Sequence, residues 1–362
     1  MISIAALHQA RRSLNGRAIK LEHSPTPEND AGIMISTHTS TIGEDPCAVY
    51  DSLRHKQYAL QQIQQELLSS NFRHIEGTIA SILLLIWQDC MDSGKNSWRY
   101  HLDALKQIAE LQKSSTQFQQ ARCFLFDFAS FERYLEMTYA TLHILGTTFI
   151  QGKTVYKPLL STISPREMMI FSESELWSGC PAELLYIISI LNDISRSKSI
   201  PSGFTTEIMP AFNAFSPMKW AIRSDNPSLM KARYHLSSIY KHSAAIYMSQ
   251  VLCQLPQGQH IEFDTPASLD PIILHIESIS PEDTHFRALV WPAFVIGAEA
   301  KYLSQRLVIV RVFERLWDIW RCQNVKNALD VLRDLWARND ESTTPVSWIG
   351  EIYRSGMDWI FV

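Results

Sequence analysis

Leu289-Val290-Trp291-Pro292-Ala293-Phe294-Val295-Ile296-Gly297-Ala298-Glu299-Ala300-Lys301-Tyr302-Leu303-Ser304-Gln305-Arg306 is the stretch whose reading settles the class of fold. It reads as one buried helix, apolar on most of its sides, and a helix without a polar face belongs inside a core. Pro292 is tolerated at a first helical turn, where the amides have no intrahelical partner. Gly297 lets a neighbouring helix approach closely.

Working outward, the same period returns along the chain. Leu53, Leu60, Ile63 and Leu67 recur at helical spacing, with Gln and Glu filling the other face. After Gly77-Thr78 the run Ile79 to Trp87 is apolar on nearly all sides, and Trp98 to Leu111 is amphipathic. Cys123 to Leu145 is thick with aromatics, and Glu183 to Ile194 is a short apolar helix behind Gly179-Cys180-Pro181. Leu236, Tyr240, Ala244, Tyr247 and Val251 form one stripe within 231–253, and Val325, Leu329, Leu332 and Trp336 form the last. No window alternates in the way a strand requires, and no repeat of fixed period is found. The expected fold is all-α, a large irregular array of packed antiparallel helices over 50–362. Pro201, Gly203, Pro210, Pro217 and Pro227 predict an extended loop with short helical pieces over 195–230.

Residues 1–49 read as a flexible tail and linker, because 22–49 is too rich in Ser, Thr, Pro, Asp and Gly to offset its ordering entropy. Arg11, Arg12, Arg17 and Lys20 precede the first acid, Glu22. That composition fits a solvated basic tail or linker remnant, with a weak mitochondrial presequence as the minor alternative.

Composition sets further bounds. With 362 residues, 46% of them hydrophobic, the chain can bury about three quarters of its unfolded surface. Lys and Arg number 33 against 37 Asp and Glu, a formal charge of -4, so there is no global positive field to attract phosphate backbones. No apolar run reaches the roughly 18 to 20 residues of a membrane span, and no membrane partner is expected. Cys47, Cys90, Cys123, Cys180, Cys253 and Cys322 lie far apart without a CxxC pair, which points to reduced, buried thiols rather than a zinc site.

Read as a pattern, Trp291-Pro292, the apolar run, Gly297, Glu299-Ala300 and Arg306 resemble the signature near the end of the fungal-specific transcription factor domain. That domain is the helical regulatory region of binuclear zinc cluster regulators. Other segments resemble it in the same order: Ile79 to Leu85 followed by the turn with Trp98, His101, Leu102 and Ala104; Gly179 through Ile194; Ala244 to Met248 around Tyr247, with Leu255-Pro256 behind; and Asn324-Val325 to Trp336. The resemblance covers about residue 50 to the end. It implies regulation of RNA polymerase II genes in a fungal nucleus, often of metabolic or secondary-metabolite sets, with other transcription regulators or a zinc-cluster partner, and a small-molecule effector, as its ligands.

One departure shapes that expectation. The zinc cluster needs six clustered thiolates, and Cys47 stands alone before Tyr50, so DNA is reached only indirectly. A missing upstream exon, a regulator that lost its cluster, and a member working through a partner remain open.

The rival is an all-helical enzyme of terpene-synthase type, in which acidic motifs hold magnesium against a diphosphate. Asp89-Cys90-Met91-Asp92 offers only two carboxylates, and the motif that starts at Asn192 and runs through Lys198 puts Arg196 at its serine position and, just beyond, Ile200 where a glutamate should ligate. Neither spacing fits. His101 invites a catalytic reading, but packing between two helices explains it more simply. Tyr234, Tyr240 and Tyr247 could line a pocket, with core packing the better reading. Arg311, Arg315, Arg321 and Lys326 interleave with Phe313, Trp317 and Trp320 as two faces of a surface helix. No catalytic residue, metal or cofactor is expected. A plain partner-binding scaffold is the third class, with the exposed side of Leu53 to Leu67 as its surface.

Overall fold

The computed structural model describes residues 46–68, 75–114, 129–152, 155–159, 164–171, 173, 178–224, 226–256, 258, 261, 268–344 and 346–362. The basic N-terminus, most of the linker and Cys123 lie outside them. In chain order the helices are α1 (Pro46–Leu68), α2 (Ile75–Asp92), α3 (Ser97–Ser114), α4 (Ala129–Thr147), α5 (Pro165–Phe171) and α6 (Ala182–Ser197). A π-helical turn at Phe204–Ile208 leads into α7 (Met209–Ala214), α8 (Pro217–Ala221), α9 (Pro227–Cys253) and α10 (Asp270–Glu277). A 3-10 turn at Thr284–Leu289 precedes α11 (Val290–Ala298), α12 (Leu303–Trp320), α13 (Gln323–Glu341) and α14 (Trp348–Arg354). Among the described residues there is no strand, only an isolated bridge between Lys95 and Trp359. The fold is all-α. α1 begins at Pro46, so the first helix takes in four residues that the linker reading had covered.

All nine residues of α11 are buried. It is surrounded by α9, α12 and α13, and α9 reaches on to α6, α8 and α10. α2, α3 and α4 pack together as a second group, joined to the first where α4 meets α6 and α13 meets α2. The C-terminal strap closes the two: Trp98 Nε1 donates to the Asp358 carbonyl at 2.8 Å, and Asn324 Nδ2 to the Val362 carbonyl at 3.1 Å. Phe149, Phe294 and Phe361 meet beneath it with ring centroids 4.6–5.1 Å apart, which merges both groups into one aromatic centre.

The prolines of 195–230 have a different use from the one expected. Pro210, Pro217 and Pro227 stand at the first or second positions of α7, α8 and α9. There the missing amide costs nothing and the fixed φ is already helical. Ser216 and Asn226 cap α8 and α9 with side-chain oxygens. The segment is therefore a series of short helices rather than an extended loop.

The thiols also differ in part. Cys90, Cys180 and Cys322 are buried, whereas Cys47 and Cys253 are exposed. No helix among the described residues is long and apolar enough to cross a membrane.

Candidate functional site

The stretch 289–306 is not one helix. Leu289 ends the 3-10 turn, α11 stops at Ala298, and α12 starts at Leu303. Pro292 sits in the first turn of α11, as its chemistry requires. The break is held from outside the segment. Trp336 Nε1 donates to the Gly297 carbonyl at 2.8 Å, and Arg306 Nε to the Ala300 carbonyl at 3.0 Å. Gly297 is in the last turn of α11, where its carbonyl accepts the Ala300 amide at 3.1 Å and Trp336 as a second donor, while Ala300 lies just past the helix end. Arg306 also forms a fork with both Asp340 oxygens at 2.6 and 2.8 Å, its guanidinium 5.4 Å from the centre of the Trp336 ring. A Cβ on Gly297 would stand 2.9 Å from Ile309 and 3.0 Å from Leu332, so glycine is what allows α12 and α13 to close on α11. Gly297, Arg306 and Trp336 thus meet in one joint.

Trp291 makes the second junction. Its ring stacks on Tyr240 at 5.9 Å, meets Tyr247 edge-on at 6.4 Å, and its Nε1 donates to Thr148 Oγ1 at 3.3 Å. Tyr247 in turn donates to Asn192 Oδ1 at 2.6 Å, while Asn192 Nδ2 donates to the Ile144 carbonyl at 2.7 Å. Tyr240 and Tyr247 are core residues, but Tyr234 is half-buried and packs against His235 and His275 instead. Gly179 has φ +61°, and a Cβ there would stand 2.6 Å from Leu236, so both conformation and space require glycine.

On the α2–α3 side, Trp98 and Leu102 are fully buried and Ala104 is half-buried. His101 lies 3.4 Å from Asp89 Oδ2, with Lys56 Nζ 2.5 Å from Asp89 Oδ1. Burial pushes its imidazole below the ordinary range; Asp89 opposes the shift and Lys56 adds to it. His101 joins α1, α2 and α3 rather than facing a cleft. The acidic near-motifs are similarly occupied, Asp89 between Lys56 and His101, and Asp193 beside Arg196. Among the described residues no three His, Cys, Asp or Glu side chains are grouped to hold a metal ion.

Glu299 borders a cleft of about 390 Å³ with Gln250, Asp270 and Gln305. Burial raises its carboxyl, partly offset by the bond from Gln250 Nε2 at 2.6 Å. Gln305 Nε2 donates to Asp270 Oδ1 at 2.8 Å and Ser347 Oγ to Gln250 Oε1 at 2.9 Å, so the cleft's main polar groups are paired with one another.

His143 is a fully buried titratable group of the interior. It lies between Tyr139 and Tyr156 at 5.5 and 5.6 Å, and neither ring nitrogen has a hydrogen-bond partner. Burial, then Lys106 and Arg196, hold its imidazole well below the ordinary range. His101, His235 and His275 shift the same way, burial leading in each. Such groups bind fewer protons folded than unfolded. Stability is full above about pH 6.5 and falls below it, by about 1.4 kcal/mol per pH unit for His143 while it stays neutral. The denaturant midpoint should drop between pH 7 and pH 5, and His143→Phe should flatten that slope. A slope unchanged in the variant would refute the assignment.

Sequence reading missed the surroundings of α6, where Tyr186, Glu207 and Lys219 border open clefts. Only the proline-rich character of 195–230 hinted at structure there. On α1, Ile63 and Leu67 pack on the core while Leu53 and Leu60 are exposed, so the four do not share one buried face.

The chain is similar to the acriflavine sensitivity control protein acr-2 of Neurospora crassa, 23% identical over 320 residues, covering 81% of this chain and 51% of the relative. It therefore spans about half the length of that curated relative. No solved structure matches. The model of the fungal-specific transcription factor domain matches residues 1–362, and the chain belongs to that family.

Proposed function

We propose that the chain is a regulatory body for RNA polymerase II transcription in a fungal nucleus, acting on a metabolic or secondary-metabolite gene set and not as an enzyme. The observation that carries this reading is the family match along the full length. The interior supports it, because the motif residues are engaged in packing and helix capping and present no nucleophile and base to a cleft. Net charge of -4 argues against unaided DNA binding, so promoters are reached through zinc-holding residues or a partner outside this chain. The partner surface is the outward side of α1, where Tyr50, Leu53 and Leu60 stand 67%, 54% and 41% exposed at helical spacing.

The test is the full chain tethered to a heterologous DNA-binding domain in a fungal reporter strain. Reporter output should change, and Leu53→Glu with Leu60→Glu should abolish the change with thermal stability within about 0.5 kcal/mol of the parent, as for surface substitutions. No response from the tethered parent chain would overturn the proposal. A response that survives the double substitution would remove α1 as the partner surface.

A further inference from the structure

The side of α6 that carries half-buried Tyr186 and Ile190 forms the floor of a groove that the family assignment does not explain. Tyr186, Ile187, Ile190 and Ile194 lie along one helical face. The π-helical turn Phe204–Ile208, α7 and α8 form the opposite wall. The groove has two lobes, of about 380 and about 530 Å³, which share Tyr186, Glu207 and Ile208. Both volumes fall within the ordinary range for small-molecule sites, roughly 300–1,000 Å³. The wide turn between them is of the kind found often at functional sites, with Glu207 N and Ile208 N both bonded to the Gly203 carbonyl.

The lobes differ in chemistry. The smaller carries Arg166, Lys219 and Arg223 over a base that includes Phe215 and Trp220. Trp220 is held in place, its Nε1 donating to Glu173 Oε1 at 2.6 Å and its ring lying 3.8 Å from the Arg233 guanidinium. Glu173 is further engaged by the Ala182 amide. Of the three cations at the lobe, only Arg223 has an acidic neighbour, Glu183 at 3.8 Å; Arg166 and Lys219 make no ion pair among the described residues. The larger lobe is lined by Ile190, Ile194, Phe204 and Ile208, and its Asp193 is paired with Arg196. Two carboxylates at the cationic lobe oppose an anion: Glu183, which lies beside Arg223, and Glu207 at the junction, which forms no ion pair among the described residues.

We infer that the groove binds an amphipathic organic anion, with its oxyanion head between Arg166 and Lys219 and its apolar body along Tyr186, Ile190 and Ile208. Cations without acid partners beside an apolar channel attract both ends of such a molecule and reject its cationic or neutral analogues. The effector role of the ligand rests on the regulatory reading above; the binding itself does not.

The experiment titrates the purified full chain by calorimetry with sodium decanoate below its micellar concentration, alongside decylamine and decan-1-ol. Decanoate should occupy one saturable site about tenfold more tightly than either analogue. Arg166→Glu with Lys219→Glu, both at exposed positions, should weaken it about tenfold with the melting temperature unchanged. Glu207→Gln should tighten it by removing the opposing charge. Equal binding of the three probes, uptake that does not saturate, or indifference to the charge reversals would overturn the inference. Decanoate binding without any reporter response would instead defeat only the regulatory reading, and a reporter response without decanoate binding only this one.

Discussion

Trp291→Ala is expected to lower the free energy of unfolding by about 3–5 kcal/mol, the range for truncating a large buried aromatic. The ring is 1% exposed and fills the space between α4, α9 and α11. Its neighbours cannot collapse into the void. Tyr240 is tied by its hydroxyl to the Ala288 carbonyl at 3.0 Å, and Tyr247 to Asn192 at 2.6 Å. Thr148 loses its indole donor as well. Tyr100→Ala, at a position 76% exposed, should stay within about 0.5 kcal/mol of the parent. Denaturant unfolding of both variants measures the contrast, and a Trp291→Ala loss below about 1 kcal/mol would show that this residue is not at the packed centre.

Lys56→Met should cost about 3 kcal/mol, because it leaves the Asp89 carboxylate buried without its main counter-charge. Asp89 is 1% exposed, whereas Lys56 keeps 18% of its side chain in water, which places the effect at the lower end of the range for broken buried pairs. Adding Asp89→Leu to Lys56→Met should recover most of the loss, since an apolar pair of similar size needs no counter-charge. A double variant as unstable as the single one would show that the ion pair itself, rather than the stranded carboxylate, stabilises the junction. The same pair sets the register of α1, together with Gln88 Nε2 donating to Ser52 Oγ at 3.2 Å. Weakening it should also reduce the reporter response through the Leu53–Leu60 face.

Legibility in the sequence followed the range of the interactions concerned. The stripe Leu236, Tyr240, Ala244, Tyr247 and Val251 showed α9 because residues three and four apart share a helical face, a property of local geometry. The all-round apolarity of Val290–Ala298 showed a buried segment for the same reason. The partner of Tyr247 was not legible: Asn192 lies 55 positions away, and nothing in the spacing around it shows that its amide joins α4 to α9. Nor was the division of α1, where Leu53 and Leu60 share a period with Ile63 and Leu67 but not a neighbour.

By itself the sequence determined an all-helical chain with Trp291 and its neighbours at the centre, through hydrophobic spacing that depends only on nearby residues. Tertiary structure alone decided that the signature stretch breaks after Ala298, that Trp336 and Arg306 donate to the carbonyls of Gly297 and Ala300 at the break, and that α6 faces a cationic and apolar groove. Those outcomes depend on which distant side chains arrive at the same point, and a carbonyl or a charge is satisfied by what lies within a few ångströms of it, wherever in the chain that group originates.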